Sequence, residues 1–282
     1  MKKPTWKTIL QYLLILVLAF IFLFPVLWAV LSSFKTEQNV VAYPPQIIPQ
    51  PVVYDNYVTV ISRYPFMNWM LNSVIITVGS TLLVLVISSL AAYPFARMNF
   101  KFKGPLFALI TAMMLIPIQG YMIPLFKILS EIGMRKTPEL TNLSLILTAG
   151  ANITSLFILT SFFKELPQSL EDAAKIDGCS DFRFFASILI PLSKTALSSV
   201  AILTFISNWN SFLWPLIMLS GDKNLTLPVG MARYFGGAAN DAAFKYGPSL
   251  AAACMAVLPT VIVFLFLQRY FVEGIASSGI KG

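Results

Sequence analysis

Residues Leu166–Leu192 read LPQSLEDAAKIDGCSDFRFFASILIPL, a polar stretch set between two strongly apolar ones. Ser169 followed three residues later by Asp172 has the spacing of a variant capping box, and Glu171 with Asp172 places negative charge in a first turn, where the helix dipole favours it. A short helix is therefore expected from Ser169. Gly178 is the residue best suited to a left-handed C-terminal cap, and Ser180 with Asp181 can open a second helix running to Ile188 and Pro191. Ala173 and Ala174 present almost no side chain, so another protein can approach the helix closely while Leu170 and Ile176 are expected to hold the opposite side. The plain alternative is a connector helix between two membrane spans.

Composition sets the context. Hydrophobic residues make up 57% of the chain and charged residues 11%, and mean hydropathy is +0.77, outside the range of ordinary globular domains. The chain reads as an all-α integral membrane protein. A span needs about 20 apolar residues, and six stretches qualify, near 9–31, 71–95, 106–129, 143–163, 192–219 and 250–271. Together they make one transmembrane domain over 1–282, with 164–191 as a polar loop. These runs are continuous, whereas barrel strands alternate over about ten residues. Pro117, Gln119, Gly120 and Pro124 predict a kink in the third stretch, because each proline removes a backbone donor. Tyr43-Pro44-Pro45 through Pro51 reads as an extended surface segment.

The first apolar stretch follows Lys2, Lys3 and Lys7 but is too long for a signal peptide and lacks a clear small-residue cleavage site, so it reads as a retained anchor. With six spans both termini share a side. That side collects twelve of the 20 Lys and Arg residues, with the bias strongest in the N-terminal tail and the tight turn from Arg97 to Lys103. By the positive-inside rule both termini and the 164–191 loop are cytoplasmic. The net charge of +8 then reflects orientation and lipid contact; no basic stripe interleaved with aromatics points to nucleic acid. Cys179 and Cys254 are too isolated for a disulfide, metal site or redox motif.

Catalytic chemistry finds little support. The chain has no histidine, the commonest general base and metal ligand, and no G-x-x-x-x-G-K-[ST] phosphate loop. Charged residues are nearly absent from the middle of the apolar stretches, which removes the obvious carriers of a proton or sodium relay. The expectation is a non-enzyme with no cofactor and no metal, driven by a separate subunit. Asn208, Trp209, Asn210 and Ser211 form a polar cluster inside the fifth stretch. They face either a solute path or a neighbouring helix; an indole beside amides suits a sugar.

The spacing Asp172-Ala173-Ala174, three residues, Gly178, nine residues, Ile188-Leu189-Ile190-Pro191 resembles the cytoplasmic E-A-A loop of ABC-transporter permease subunits, with Asp for Glu at 172 and Ile for Leu at 190. From Trp209, WNSFLWPLIML, then LTLPVGMARYFGG from Leu225 and the closing Gly279-Ile280-Lys281-Gly282 are similar to the carbohydrate-importer branch, the type represented by the smaller permease of maltose transporters. This resemblance implies an inner-membrane, six-helix subunit of the type I importer kind with a coupling helix. It pairs with a second related permease, two ATPase subunits that carry ATP and Mg, and an external sugar-binding protein. It further implies that Glu171, Asp172, Ala173, Ala174, Gly178 and Pro191 meet the ATPase, and that the outer loop holding Gly236, Gly237, Asn240 and Asp241 enters the binding protein. Two rivals stay open: an ABC permease for another solute, and a self-contained channel or carrier.

The charge asymmetry makes a topological prediction. In a cysteine-free background, single cysteines at Lys101 and Ser180 label only after the cytoplasmic side is opened, and one at Asn240 labels from outside. External labelling at 180 overturns the orientation.

Overall fold

The computed structural model describes residues 6–236 and 245–278; Gly237, Asn240, Asp241 and the closing Gly279–Gly282 lie outside the described residues. Every regular element among the described residues is helical. The chain divides into two compact units, Met1–Met67 with Gly230–Leu258, and Asn68–Val229 with Pro259–Gly282.

In the first unit, helix α1 (Trp6–Ser33) runs 28 residues, about 42 Å at 1.5 Å per residue. Its large side chains from Leu10 to Leu27, Phe20 and Phe22 included, are exposed, which in water would be untenable over such a length and fits a lipid-facing helix. Beyond it come α2 (Glu37–Val40) and α3 (Asp55–Arg63). Lys35, in the connection from α1 to α2, is fully buried. Its ammonium sits 4.2 Å from the centre of the Trp28 ring and donates to Ser32 Oγ at 3.0 Å and to the Gln46 carbonyl at 2.6 Å. Burial lowers its pKa from the ordinary lysine value, while the ring face and the two acceptors offset the cost of the charge.

A second knot in this unit joins distant chain. Asn56 Nδ2 donates to the carbonyls of Ser33 and Lys35 at 2.8 and 2.9 Å. The Glu37 carboxylate accepts from the backbone N–H groups of Tyr246 and Gly247 at 2.8 and 3.0 Å, capping the long helix Tyr246–Ser278 with negative charge where its dipole is positive.

In the second unit, α4 (Phe66–Arg97) is a 32-residue apolar helix. The third stretch departs from the expected single span. It is divided into α5 (Lys103–Ala112), two single turns of 3₁₀ helix at Met113–Leu115 and Ile118–Gly120, and α6 (Met122–Glu131). The kink read from Pro117 and Pro124 is thus a complete interruption: Pro117 adopts ψ 139° just before the second 3₁₀ turn, an extended conformation that no helix continues through. The fourth stretch is also broken, with α7 (Pro138–Ala149) and α8 (Ile153–Glu165) meeting at 43°. After the polar loop, α12 (Lys194–Trp209) ends inside the fifth stretch, at Asn210, and α13 (Leu213–Met218) follows. The last two helices among the described residues are α14 (Leu227–Phe235), most of which belongs to the first unit, and α15 (Tyr246–Ser278), which begins in it. Among the described residues three helices are long and apolar enough to cross a membrane alone, rising to five when each bent pair counts as one span.

The core of the second unit lies beneath the polar loop. Val84, Ala92, Tyr93 and Phe95 of α4 pack with Leu156, Leu159 and Phe163 of α8 and with Phe184, Phe185, Leu189, Ala196 and Val200.

The Asn56 knot yields a stability prediction. A Cβ added at Gly247 would fall 2.5 Å from Asn56 Oδ1, and that side chain cannot retreat without releasing two backbone carbonyls. Gly247→Ala should therefore destabilise the folded protein by about 1–3 kcal/mol, the usual cost of overpacking, read as a lowered thermal midpoint in detergent. An unchanged midpoint would show that the knot yields freely.

Candidate functional site

The polar loop has a defined architecture. Helix α9 spans Ser169–Ile176, as expected, but Ser169 does not cap it. Gln168 occupies the N-cap in helical geometry because the turn has already begun at Pro167, whose carbonyl accepts from Leu170 N–H at 3.3 Å. At the other end Gly178 adopts φ 73°, with its N–H on the Lys175 carbonyl and Cys179 N–H on the Ala174 carbonyl. This pair of bonds is a Schellman motif, closed by the residue type that tolerates its left-handed turn. Ser180 then caps α10 (Asp181–Phe184) by accepting from Arg183 N–H at 3.3 Å. The chain widens into π-helix at Phe185–Leu189 before α11 (Ile190–Leu192), where Pro191 cannot donate to a carbonyl one turn back.

The inward face of α9 is not the one expected. Leu170 is only part-covered and Ile176 is 86% exposed, whereas Glu171 and Ala174 are buried. The two alanines therefore part company: Ala174 belongs to the core and Ala173 faces outward. Glu171 is held within the chain, accepting from Lys175 Nζ at 2.7 Å and Gln168 Nε2 at 3.2 Å. That pairing raises the Lys175 pKa, so its contribution is full below the ordinary lysine range and fades only as pH climbs through the raised value. Asp172 is exposed, with no hydrogen bond or ion pair from its carboxylate among the described residues. Ile176, Gly178 and Phe182 share its exposure, and Pro191 is exposed as well.

Sequence reasoning missed what aims this loop. Arg97, the last residue of α4, donates from Nη2 to the Leu166 carbonyl at 2.7 Å and from Nη1 to Gln168 Oε1 at 3.0 Å. Gln168 in turn reaches Glu171, so one guanidinium reaches the buried carboxylate of α9 through a single amide. The second half of the loop is held by rings, Tyr93 lying 5.5 Å from Phe185 and 6.4 Å from Phe184. The signal available in sequence was an arginine at the end of an apolar stretch, read only as a topology marker.

The polar cluster of the fifth stretch separates too. Asn208 and Ser211 line a cavity of about 200 Å³. Trp209 is buried and stacked on Phe205, ring centres 5.8 Å apart and planes 7° from parallel, while Asn210 is exposed and donates to the Ile206 carbonyl at 2.8 Å. The cavity is also lined by Ser73, Thr77 and Ser80 of α4, by Thr148 and Thr226, and by Tyr121 and Trp214, whose indole N–H donates to Thr148 Oγ1 at 3.1 Å. No Lys, Arg, Asp or Glu among the described residues lines it. Single serines and threonines scattered over four segments carried no pattern legible in one dimension. Of the outer-loop candidates, only Gly236 is described.

An apolar helical chain with broken spans, an outward-facing loop helix and a polar internal cavity has the make-up of a solute permease. Residues 84–277 match the family described as the binding-protein-dependent transport system inner membrane component, and the chain belongs to that family. It is 32% identical to the arabinooligosaccharides transport system permease protein AraQ of Bacillus subtilis, over 96% of this chain and 94% of that one. It is 33% identical to the trehalose/maltose transport system permease protein MalG of Thermococcus litoralis over the full length of both. It is 35% identical to the melibiose/raffinose/stachyose import permease protein MelC of Bacillus subtilis over 84% of each. In fold it matches a chain of a bacterial ABC transporter involved in the import of the acidic polysaccharide alginate, with TM-score 0.81 at 20% identity, covering 96% of this chain and all of that one. The protein is accordingly a transport permease subunit of the inner membrane, crossed by apolar helices.

The Schellman turn supplies a local prediction. A Cβ at Gly178 meets nothing within 4 Å, so Gly178→Ala carries backbone strain without a clash, about 1 kcal/mol. Gly178→Asn should retain most of the native stability, since Asn tolerates the left-handed region. Amide hydrogen exchange over 172–180 checks both: faster exchange in Ala than in Asn is expected, and equal rates would remove the φ constraint as the reason for glycine.

Proposed function

We propose that this chain is one permease subunit of an ATP-driven, binding-protein-dependent sugar importer, oligosaccharides included, and forms half of its translocation path. The observation that carries the cargo class is similarity along nearly the whole chain to permeases named for arabinooligosaccharides, trehalose and maltose, and the melibiose series. ATP and Mg²⁺ belong to two separate ATPase subunits, a second related permease completes the path, and an external binding protein delivers the sugar. Both termini and the 164–191 loop lie on the cytoplasmic side.

Coupling is assigned to α9. Its inner face is occupied by Ala174 and by Glu171, whose charge is already paired, which leaves Asp172 as the free carboxylate offered to a basic residue of the ATPase. Around it Ala173 and Gly178 permit close approach, and Ile176 and Phe182 supply apolar area that docking would cover. A rigid-body push on this helix would be transmitted through Gln168 and Arg97 into the end of α4.

The test is a complex of the chain with its ATPase and second permease in proteoliposomes, supplied with the binding protein and radiolabelled oligosaccharides. Ala173→Trp and Asp172→Lys should reach normal membrane levels yet lose ATPase co-purification and sugar-stimulated hydrolysis, an unpaired interfacial charge costing about 2–5 kcal/mol. Glu171→Gln should act differently, loosening α9 while preserving some coupling. Normal uptake by both Ala173→Trp and Asp172→Lys would reduce the loop to a connector.

A further inference from the structure

We infer that the cavity between α4, α7 and the α12–α13 break is a subsite for one uncharged sugar residue in transit, so that this subunit itself contacts cargo and favours neutral over acidic sugars. The inference rests on the importer reading above and narrows it to a ligand class.

Hydroxyls on apolar helices normally fold back onto a carbonyl one turn earlier, and several of this unit do so: Thr81 on Thr77, Ser89 on Leu85, Thr148 on Ser144, at 2.6–2.9 Å. Among the lining residues, two hold hydroxyls that are both buried and unbonded, one on α4 and one in the segment just before α14. Ser80, fully buried, and Thr226, 4% exposed, leave their hydroxyl oxygens without a hydrogen-bond partner. A buried hydroxyl left unpaired is costly where water is scarce, and each, once turned toward the cavity, would gain from a partner that the chain does not supply. Asn208 and Ser211 line the same space and add an amide and a hydroxyl that can each donate and accept. Tyr121 and Trp214 line the same space, and sugar C–H groups pack on aromatic rings.

The volume, about 200 Å³, suits one sugar ring rather than a chain. The polar groups of the lining are neutral donors and acceptors set among apolar side chains such as Ile76, Leu125 and Leu145, and a carboxylate or sulfonate placed there would lack the counter-charge that burial demands. The cavity therefore selects against acidic sugars on electrostatic grounds, even though the solved fold relative is named for an acidic polysaccharide.

Thiol protection in the assembled transporter tests this. Ser80→Cys and Ser211→Cys, each in a chain with Cys179→Ser and Cys254→Ser, are reconstituted with both partner subunits and binding protein. They are exposed to a small methanethiosulfonate reagent with and without maltotriose, raffinose, arabinotriose or an alginate trisaccharide. Modification should slow roughly tenfold with whichever neutral sugar is transported, and not with the uronate. Thr226→Val and Asn208→Leu should shift the transport-rate ratio between neutral sugars by roughly tenfold, the scale of one lost hydrogen bond. If neutral sugars are transported while labelling is sugar-independent, or the thiols never react, the cavity is a water-filled packing gap and the inference fails with the importer reading intact. Transport and protection by the uronate alone would overturn the neutral preference. No uptake of any sugar by the complete complex would overturn the importer reading itself.

Discussion

The constraint on which the structure depends is that a chain dissolved in hydrocarbon must satisfy its own polar groups. Several of its departures from straight helix are answered from within. Where α12 stops at Asn210, its amide donates back to the Ile206 carbonyl. Asn152 opens α8 by accepting from Ser155 N–H at 2.9 Å after the 43° bend. The Trp214 indole reaches across to Thr148. Against that background the unanswered buried hydroxyls stand out, two of them, Ser80 and Thr226, beside the cavity and one, Thr160, on α8 away from it.

The polar loop applies the reverse logic at the membrane surface. Its core face is apolar and aromatic, its charges are divided between one that is consumed and one that is not, and the division is made by a helix of only eight residues. Such a helix is too short to stand alone. It persists because Ala174 joins the core, the Schellman turn at Gly178 closes one end, and the Arg97–Gln168–Glu171 chain of bonds holds the other. Asp172 is thereby projected on an element tied through Gln168 and Arg97 to the end of α4.

Legibility in the sequence followed the range of the interaction. Helical class, the long spans at 9–31, 71–95 and 250–271, and the Gly178 turn with its Ser180 cap were readable because each depends on composition or on neighbours within one turn. The orientation of α9 was not. Ile176 looked like the anchor by hydrophobicity, yet the face that is buried is chosen by Arg97, 71 residues before Gln168, and by the aromatic pair at Phe184 and Phe185. The third stretch was legible as kinked but not as interrupted: the chain leaves the helix at Pro117, whereas Pro124 sits in the first turn of α6, where a proline is tolerated. The cavity was half legible: Asn208 and Ser211 stood out as polar within an apolar run, whereas Ser80 and Thr226 are ordinary until their missing partners are seen in three dimensions.

The breaks and the cavity have a common cause. A helix passing straight beside α4 would fill the space with side chains and return every backbone group to its own ladder. Ending α12 at Asn210 and restarting at Leu213 instead brings an amide, a hydroxyl and an indole to one wall of the cavity, opposite Ser73, Thr77 and Ser80 spaced at helical intervals on a single face of α4. The cost of the interruption is met locally by the Asn210 and Trp214 bonds. What remains among the described residues is a cavity whose polar groups carry no formal charge, gathered on one side by the break and on the other by the period of α4.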